Sequence, residues 1–147
     1  IMNKGGIRNS LAAGPITQGE IIDIAPFDNS IVVIEIKGQD LIDNFGIMAA
    51  QDGNGVSGNV KAIYDPSTKA VNSVTIDGKP IDPKRSYRLA TIDYLAAGND
   101  YMEPLKKGVT LAKSNEVLYK ILIDYISAGK LDKLLSAPDK KARMTSF

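Results

Sequence analysis

The sequence predicts an α+β domain: a mixed, largely antiparallel sheet with helices packed on it. Three observations carry that prediction. "IVVIEIK", Ile31 to Lys37, is dense in β-branched residues and reads as a strand. Asp77-Gly78 sits between two short apolar runs and is a strong hairpin signal. Helical spacing appears elsewhere, with Leu41, Ile42, Phe45 and Met48 falling on one face of residues 39–50. Strands joined by hairpins, with helices interspersed, are the signature of an α+β layer structure.

Taken in order, the chain opens on "NKGGIRNS", in which adjacent glycines Gly5 and Gly6 precede Arg8. Glycine pairs allow close backbone approach. A guanidinium is a planar fork suited to phosphate or carboxylate. A loop of this kind normally needs a strand to hold it, so the opening is expected to be a cut through a longer protein. Thr17-Gln18-Gly19-Glu20 reads as a capping box, with a short helix over 18–24 stopped by Pro26. The strand at 31–37 ends at Gly38, and the helix over 39–50 follows. "QDGNGVSGN" is a glycine-rich loop. Val60 to Tyr64 is a strand and "DPSTK" a turn. Ser73 to Ile76 is the outgoing arm of the Asp77-Gly78 hairpin, and Lys79 to Ile81 is its return. "SYRLATI", 86–92, is a strand that leads into "DYLAAGNDY". Ser114 is expected to cap a helix with Val117, Leu118, Ile121, Leu122 and Tyr125 on one face, and Gly129 fits its C′ position. The lysine-rich tail ending "RMTSF" gives no clear element. There is no internal repeat and no low-complexity linker, and 147 residues fit one domain.

Composition closes several doors. The chain has no histidine and no cysteine. A Ser-His-Asp triad and any imidazole metal site are therefore impossible. An all-carboxylate Mg²⁺ or Ca²⁺ site stays formally open, although no run has the alternating Asp/Asn pattern of a calcium loop. Net charge is only +1, without the basic excess of a nucleic-acid-binding domain. No apolar stretch reaches the roughly 20 residues that span a bilayer, and no cleavable signal is visible. The expectation is no nucleic-acid partner and no membrane partner.

The stretches "NKGGIR" (3–8), "GPITQGEIIDIAPFDNSIVVIEIKGQDL" (14–41), "VSGNVKAIYDP" (56–66) and "YRLATIDYLAAGNDY" (87–101) together resemble the C-terminal domain of the 5′-nucleotidase / UDP-sugar hydrolase family. They occur in the family's order and spacing and cover the chain up to about residue 128. Any one alone is a weak signal; a double glycine before Ile-Arg arises easily by chance. The resemblance implies two domains in the whole protein. An N-terminal metallophosphoesterase domain, absent from this chain, would hold two divalent metal ions and the catalytic Asp-His pair. The C-terminal domain would supply the nucleotide pocket. On this reading the chain binds no cofactor itself and carries no catalytic residue. Its partners would be a nucleoside 5′-monophosphate or related nucleotide and a metallophosphoesterase domain in cis or in trans. The location implied is extracytoplasmic.

The resemblance also assigns residues. Arg8 would reach the substrate's phosphate side through charge-assisted hydrogen bonds, with Gly5 and Gly6 permitting the approach. Asn3 would hydrogen-bond the nucleoside. Phe27 and Tyr94 would be the two walls of a base clamp; the family usually has phenylalanine at the second. Asp100 would accept hydrogen bonds from the ribose hydroxyls, since a carboxylate accepts twice and donates nothing. Ser57 and Gly58 would line the same pocket through their backbone. Asn99 and Tyr101 depart from the family, which commonly has glycines there. Without the resemblance, Arg8 reads as a solvated surface arginine and Asp100 as part of an Asx turn. Lys106, Lys107, Lys140 and Lys141 read as solvated surface. The alternative is a free-standing nucleotide-binding or interaction protein without hydrolytic activity.

Overall fold

The computed structural model describes residues 1–137 and 140–146; Phe147, the end of the basic tail, lies outside the described residues. The chain folds into α1 (Gln18–Ile24), β1 (Ser30–Lys37), α2 (Gly38–Ala50), β2 (Val60–Tyr64), β3 (Val71–Ile76), β4 (Lys79–Pro80), β5 (Ser86–Ile92), α3 (Asp93–Ala96), β6 (Val109–Val117), α4 (Leu118–Ser127), α5 (Asp132–Ser136) and β7 (Met144–Ser146), with 3₁₀ turns at Lys4–Gly6 and Glu103–Lys107. Two sheets form. One is three-stranded with order β5-β1-β6, antiparallel throughout. The other is four-stranded with order β4-β3-β2-β7 and has one parallel pair, β2 with β7. The α+β prediction holds.

β1 is the spine of the first sheet because it is paired on both sides. Val32, Ile34 and Ile36 alternate inward and are buried, as a strand with one covered face requires. They pack with Leu41, Phe45 and Met48 of α2, with Val60, Ala62 and Val74 of the second sheet, and with Leu95, Met102 and Leu105 of the segment after β5. No helix among the described residues is long and apolar enough to cross a membrane.

Local signals mostly decide the elements. Thr17 Oγ1 accepts from the Glu20 N–H (3.3 Å) and the Glu20 carboxylate accepts from the Thr17 N–H (2.8 Å), so the capping box forms as read. Asp77 (φ 51°) and Gly78 (φ 75°) both adopt positive φ, which a type I′ hairpin turn demands. Gly129 (φ 68°) ends α4. Its N–H and that of Lys130 reach back to the Ile126 and Tyr125 carbonyls, the paired bonds of a Schellman motif.

The expectation for Ser114 is corrected. It lies inside β6, and α4 starts at Leu118 with Val117 as its N-cap. The Ser114 hydroxyl accepts from the Ile31 N–H (3.0 Å) and donates to the Glu116 carbonyl (2.7 Å). It does so where the β1–β6 register shifts between Ser30 and Val32. A serine oxygen that can cap a helix can equally take a ladder N–H orphaned by a bulge. The basic tail is also more ordered than its sequence suggests, since β7 pairs with β2.

Candidate functional site

Three segments converge on one cleft: the 3₁₀ turn with its flanks, the α1–β1 loop, and α3 with the loop that follows it. The cleft has a volume of about 320 Å³. Asn3, Gly5, Gly6 and Arg8 line one side, Phe27 and Asn29 a second, and Tyr94 and Asp100 a third, with Ile92 also contributing.

The turn is built by the chain's own packing. The Gly6 N–H donates to the Asn3 carbonyl (3.1 Å) and the Ile7 N–H to the Lys4 carbonyl (3.0 Å). A Cβ on Gly6 would lie 2.5 Å from Met2 Cε and 2.8 Å from Asn3 Oδ1. Glycine at this position therefore makes room for the side chain of Asn3, which is only 5 % exposed. Asn3 Nδ2 donates to Asp100 Oδ2 (3.0 Å). Its Oδ1 is buried with no hydrogen-bond partner among the described residues, and such an acceptor is costly unless something donates to it. The Arg8 N–H is tied to the Ile24 carbonyl at the end of α1 (2.8 Å). Its exposed guanidinium makes one hydrogen bond, to the Gly5 carbonyl (3.3 Å).

Phe27 and Tyr94 are each 44 % exposed. Neither belongs to the core, and both rings line the cleft. Asp93 couples their supports. Its Oδ1 accepts from the Ser30 N–H (3.2 Å), at the start of β1 just after Phe27, and from the Tyr94 N–H (3.0 Å). Its Oδ2 pairs with Lys113 (3.0 Å). One carboxylate thus braces the backbone beside both aromatic residues of the cleft. Asp100 follows in a left-handed conformation (φ 58°), as does Tyr101 (φ 64°). Tyr101 is one of the two departures from glycine noted in the sequence; Asn99, the other, does not have a positive φ.

Seven of the nine residues singled out from the sequence thus share this cleft: Asn3, Gly5, Gly6, Arg8, Phe27, Tyr94 and Asp100. Ser57 and Gly58 do not. Ser57 lines a separate hollow with Leu41, Phe45 and Arg88, and its hydroxyl donates to Asn59 Oδ1 (2.7 Å). Gly58 lies beside the Arg143 guanidinium. Sequence reasoning missed Asn29, Ile92 and Asp93. Their part in the site follows from strand pairing, and no local motif marks it.

A larger cavity of about 410 Å³ lies next door, lined by apolar residues such as Ile7, Ile24, Ile31, Leu118 and Leu122. It lacks converging polar groups to orient a ligand, which a specific site needs. The smaller cleft has them. Among the described residues no group of three or more His, Cys, Asp or Glu could hold a metal ion. Among the described residues Asp100 is the only carboxylate lining the cleft, so a two-metal centre does not fit this cleft.

The architecture defines a class: an α+β domain that gathers loop-borne aromatics, an arginine and a carboxylate around one cleft. The chain belongs to the 5′-nucleotidase C-terminal domain family, whose profile matches residues 1–107. It is 36 % identical to protein UshA of Yersinia enterocolitica over 104 residues, which cover 68 % of this chain and 18 % of that protein. It is 26 % identical to a 5′-nucleotidase of Vibrio cholerae, covering 88 % of this chain and 24 % of the relative. The chain thus spans about a quarter or less of these curated relatives. Its fold matches the crystal structure of a 5′-nucleotidase precursor from Thermus thermophilus with a TM-score of 0.77 at 24 % identity, over 99 % of this chain and 31 % of that one.

Proposed function

We propose that this chain is the nucleotide-binding domain of a 5′-nucleotidase-like phosphohydrolase. Phe27 and Tyr94 sandwich the base. Asp100 accepts from the ribose hydroxyls. Asn3, which lines the cleft, hydrogen-bonds the nucleoside, and Arg8 faces the phosphate. The observation that carries this reading is the pair of half-exposed rings on one cleft with Asn3, Arg8 and Asp100. A planar ring between two others needs a gap of about 7 Å, twice the stacking contact of about 3.5 Å. Every base has a π-face, so such a clamp gives affinity with little base discrimination.

Two divalent metal ions held by a separate metallophosphoesterase domain would supply the activated hydroxide that attacks phosphorus. This chain's residues contribute positioning: they hold the nucleoside so that the ester is presented in a fixed orientation. Family membership supports an extracytoplasmic location for the whole protein.

Calorimetric or NMR titration with adenosine and AMP tests the reading. With only Arg8 at the phosphate side, the chain should bind both in the millimolar to high-micromolar range, about 4–6 kcal/mol. Adenosine should bind nearly as well as AMP. Phe27→Ala and Tyr94→Ala should each weaken binding roughly 5- to 150-fold, the span of one lost stacking wall. Binding that neither substitution weakens would remove the clamp.

A further inference from the structure

Gln51 and Asn54 do not line the cleft themselves, yet they close a hydrogen-bonded circuit beside it. Gln51, the C-cap of α2, donates from Nε2 to the Asp100 carbonyl (2.9 Å). Its Oε1 accepts from Asn54 Nδ2 (2.6 Å). Asn54 Oδ1 accepts from the Lys4 N–H (2.9 Å). Lys4 follows Asn3, whose Nδ2 returns to Asp100 Oδ2 (3.0 Å). The direction of the circuit is fixed at both ends. A backbone N–H can only donate and a backbone carbonyl can only accept, so neither amide can be flipped without breaking two bonds. Lys4 adds a second tie, with Nζ donating to the Gln51 and Asp52 carbonyls (3.1 and 3.0 Å) at the end of α2. A cation is favoured at that end of a helix.

The circuit has a reason to exist. Asp100 and Tyr101 are consecutive non-glycine residues with left-handed backbones. Such a conformation persists only where the surroundings enforce it. Asp100 Oδ1 has no hydrogen bond among the described residues, while Oδ2 is held by Asn3.

We propose that Gln51 and Asn54 are positioning residues that lock the Asp100 loop to the glycine turn. They thereby hold the free oxygen of Asp100 in place for the two hydroxyls of a ribose. The ribose part of this inference rests on the nucleoside reading above; the locking part does not.

Two readouts test it on the chain as it stands. The first is the preference for adenosine over 2′,3′-dideoxyadenosine. Wild type should prefer adenosine. Gln51→Leu should lose adenosine affinity by roughly five- to tenfold, the worth of about one hydrogen bond, and leave dideoxyadenosine binding unchanged. Equal losses for both ligands, or no loss, would overturn the proposal. The second readout needs no ligand: the Asn3 side-chain amide resonances should shift and their protons exchange faster in Gln51→Leu. Unchanged Asn3 signals would also overturn it. Asn54→Asp keeps the acceptor for Lys4 but sets a carboxylate oxygen against Gln51 Oε1 in place of the donor. It should give the same two effects should Gln51→Leu fail to fold. If wild type binds neither nucleoside, the proposed function fails, and the Asn3 amide alone decides the locking.

Discussion

Gly38 is where the fold tolerates least, and Gly38→Ala shows why. Gly38 is the first residue of α2 and is buried. A Cβ there would stand 2.0 Å from the Asp82 carbonyl oxygen, 2.9 Å from its carbon and 3.1 Å from Pro83 Cα. All three obstacles are backbone, so no side chain can swing away. A carbon–oxygen contact settles at about 3.3 Å, so the Asp82 carbonyl must retreat by about 1.3 Å from the 2.0 Å position. That segment is held to α2 by the Gly38 N–H on the Arg85 carbonyl (2.8 Å) and the Gln39 N–H on the Pro83 carbonyl (3.0 Å). Losing both costs about 2 kcal/mol net, and disturbed packing brings the total to about 3 kcal/mol. For a chain of this size that lowers Tm by about 10 °C and the urea midpoint by about 1–2 M. Gly46 is the internal control. It lies in the same helix and has no atom within 4 Å of its would-be Cβ, so Gly46→Ala should stabilise by about 1 kcal/mol through helix propensity alone. Urea unfolding followed by circular dichroism measures both. A Gly38→Ala protein as stable as wild type would refute the argument, and the control guards against a general tolerance of alanine in α2.

The capping box should be separable from the charge on Glu20. Thr17→Ala is expected to cost about 1 kcal/mol in the same urea assay. Hydrogen bonds from the Thr17 backbone and side chain hold the Glu20 carboxyl below its ordinary 4.5. What Glu20 contributes is therefore present above that value and lost as pH falls through the lower folded one. Wild type should accordingly lose its stability advantage over Glu20→Gln in acid, and a constant difference across the titration would count against the assignment. The purified chain should release no phosphate from AMP even with added divalent metals, because it has no histidine and its cleft has one lining carboxylate. Metal-dependent release that co-purifies with the protein would contradict this.

What the sequence made legible was local in origin. β1 announces itself by β-branched density, α1 by its capping box, and the β3–β4 hairpin by Asp77-Gly78. Each signal acts over a few residues. β6 is the opposite case. It runs along the outside of the sheet, and most of its residues are exposed, so no alternation marks it. Its polar Lys113-Ser114-Asn115 imitates a helix cap. Only the β1 partner decides the matter, and Ser114 meets Ile31 from 83 positions away. β7 is hidden for the same reason, since its parallel pairing to β2 leaves no turn signal in the chain.

The candidate site divides along the same line. The residues of the proposed ligand contacts need particular chemistry, so Arg8, Phe27, Tyr94 and Asp100 can be picked out by type once their segments are matched to a family. Residues that hold those groups in place need only offer a donor or an acceptor at the right point. Asp93 does this for the two rings, through Ser30 and Tyr94. Gln51 does it for Asp100 from 49 positions away. An amide or carboxylate of that kind is indistinguishable in sequence from any polar loop residue. The positive φ values at Asp100 and Tyr101 make the need for such support visible only in three dimensions. Where the family commonly has glycines around this aspartate, the left-handed backbone is nearly free. With Tyr101 in place of one of them, the left-handed conformation there must be enforced from outside. The same departure that weakens the sequence match therefore explains why the loop is tied to α2 through Gln51. Tyr101→Gly should relax that demand, so the Asn3 amide should respond less to Gln51→Leu in the Tyr101→Gly background than in wild type. An equal response in the two backgrounds would mean that the tie to α2 serves some purpose other than holding a strained loop.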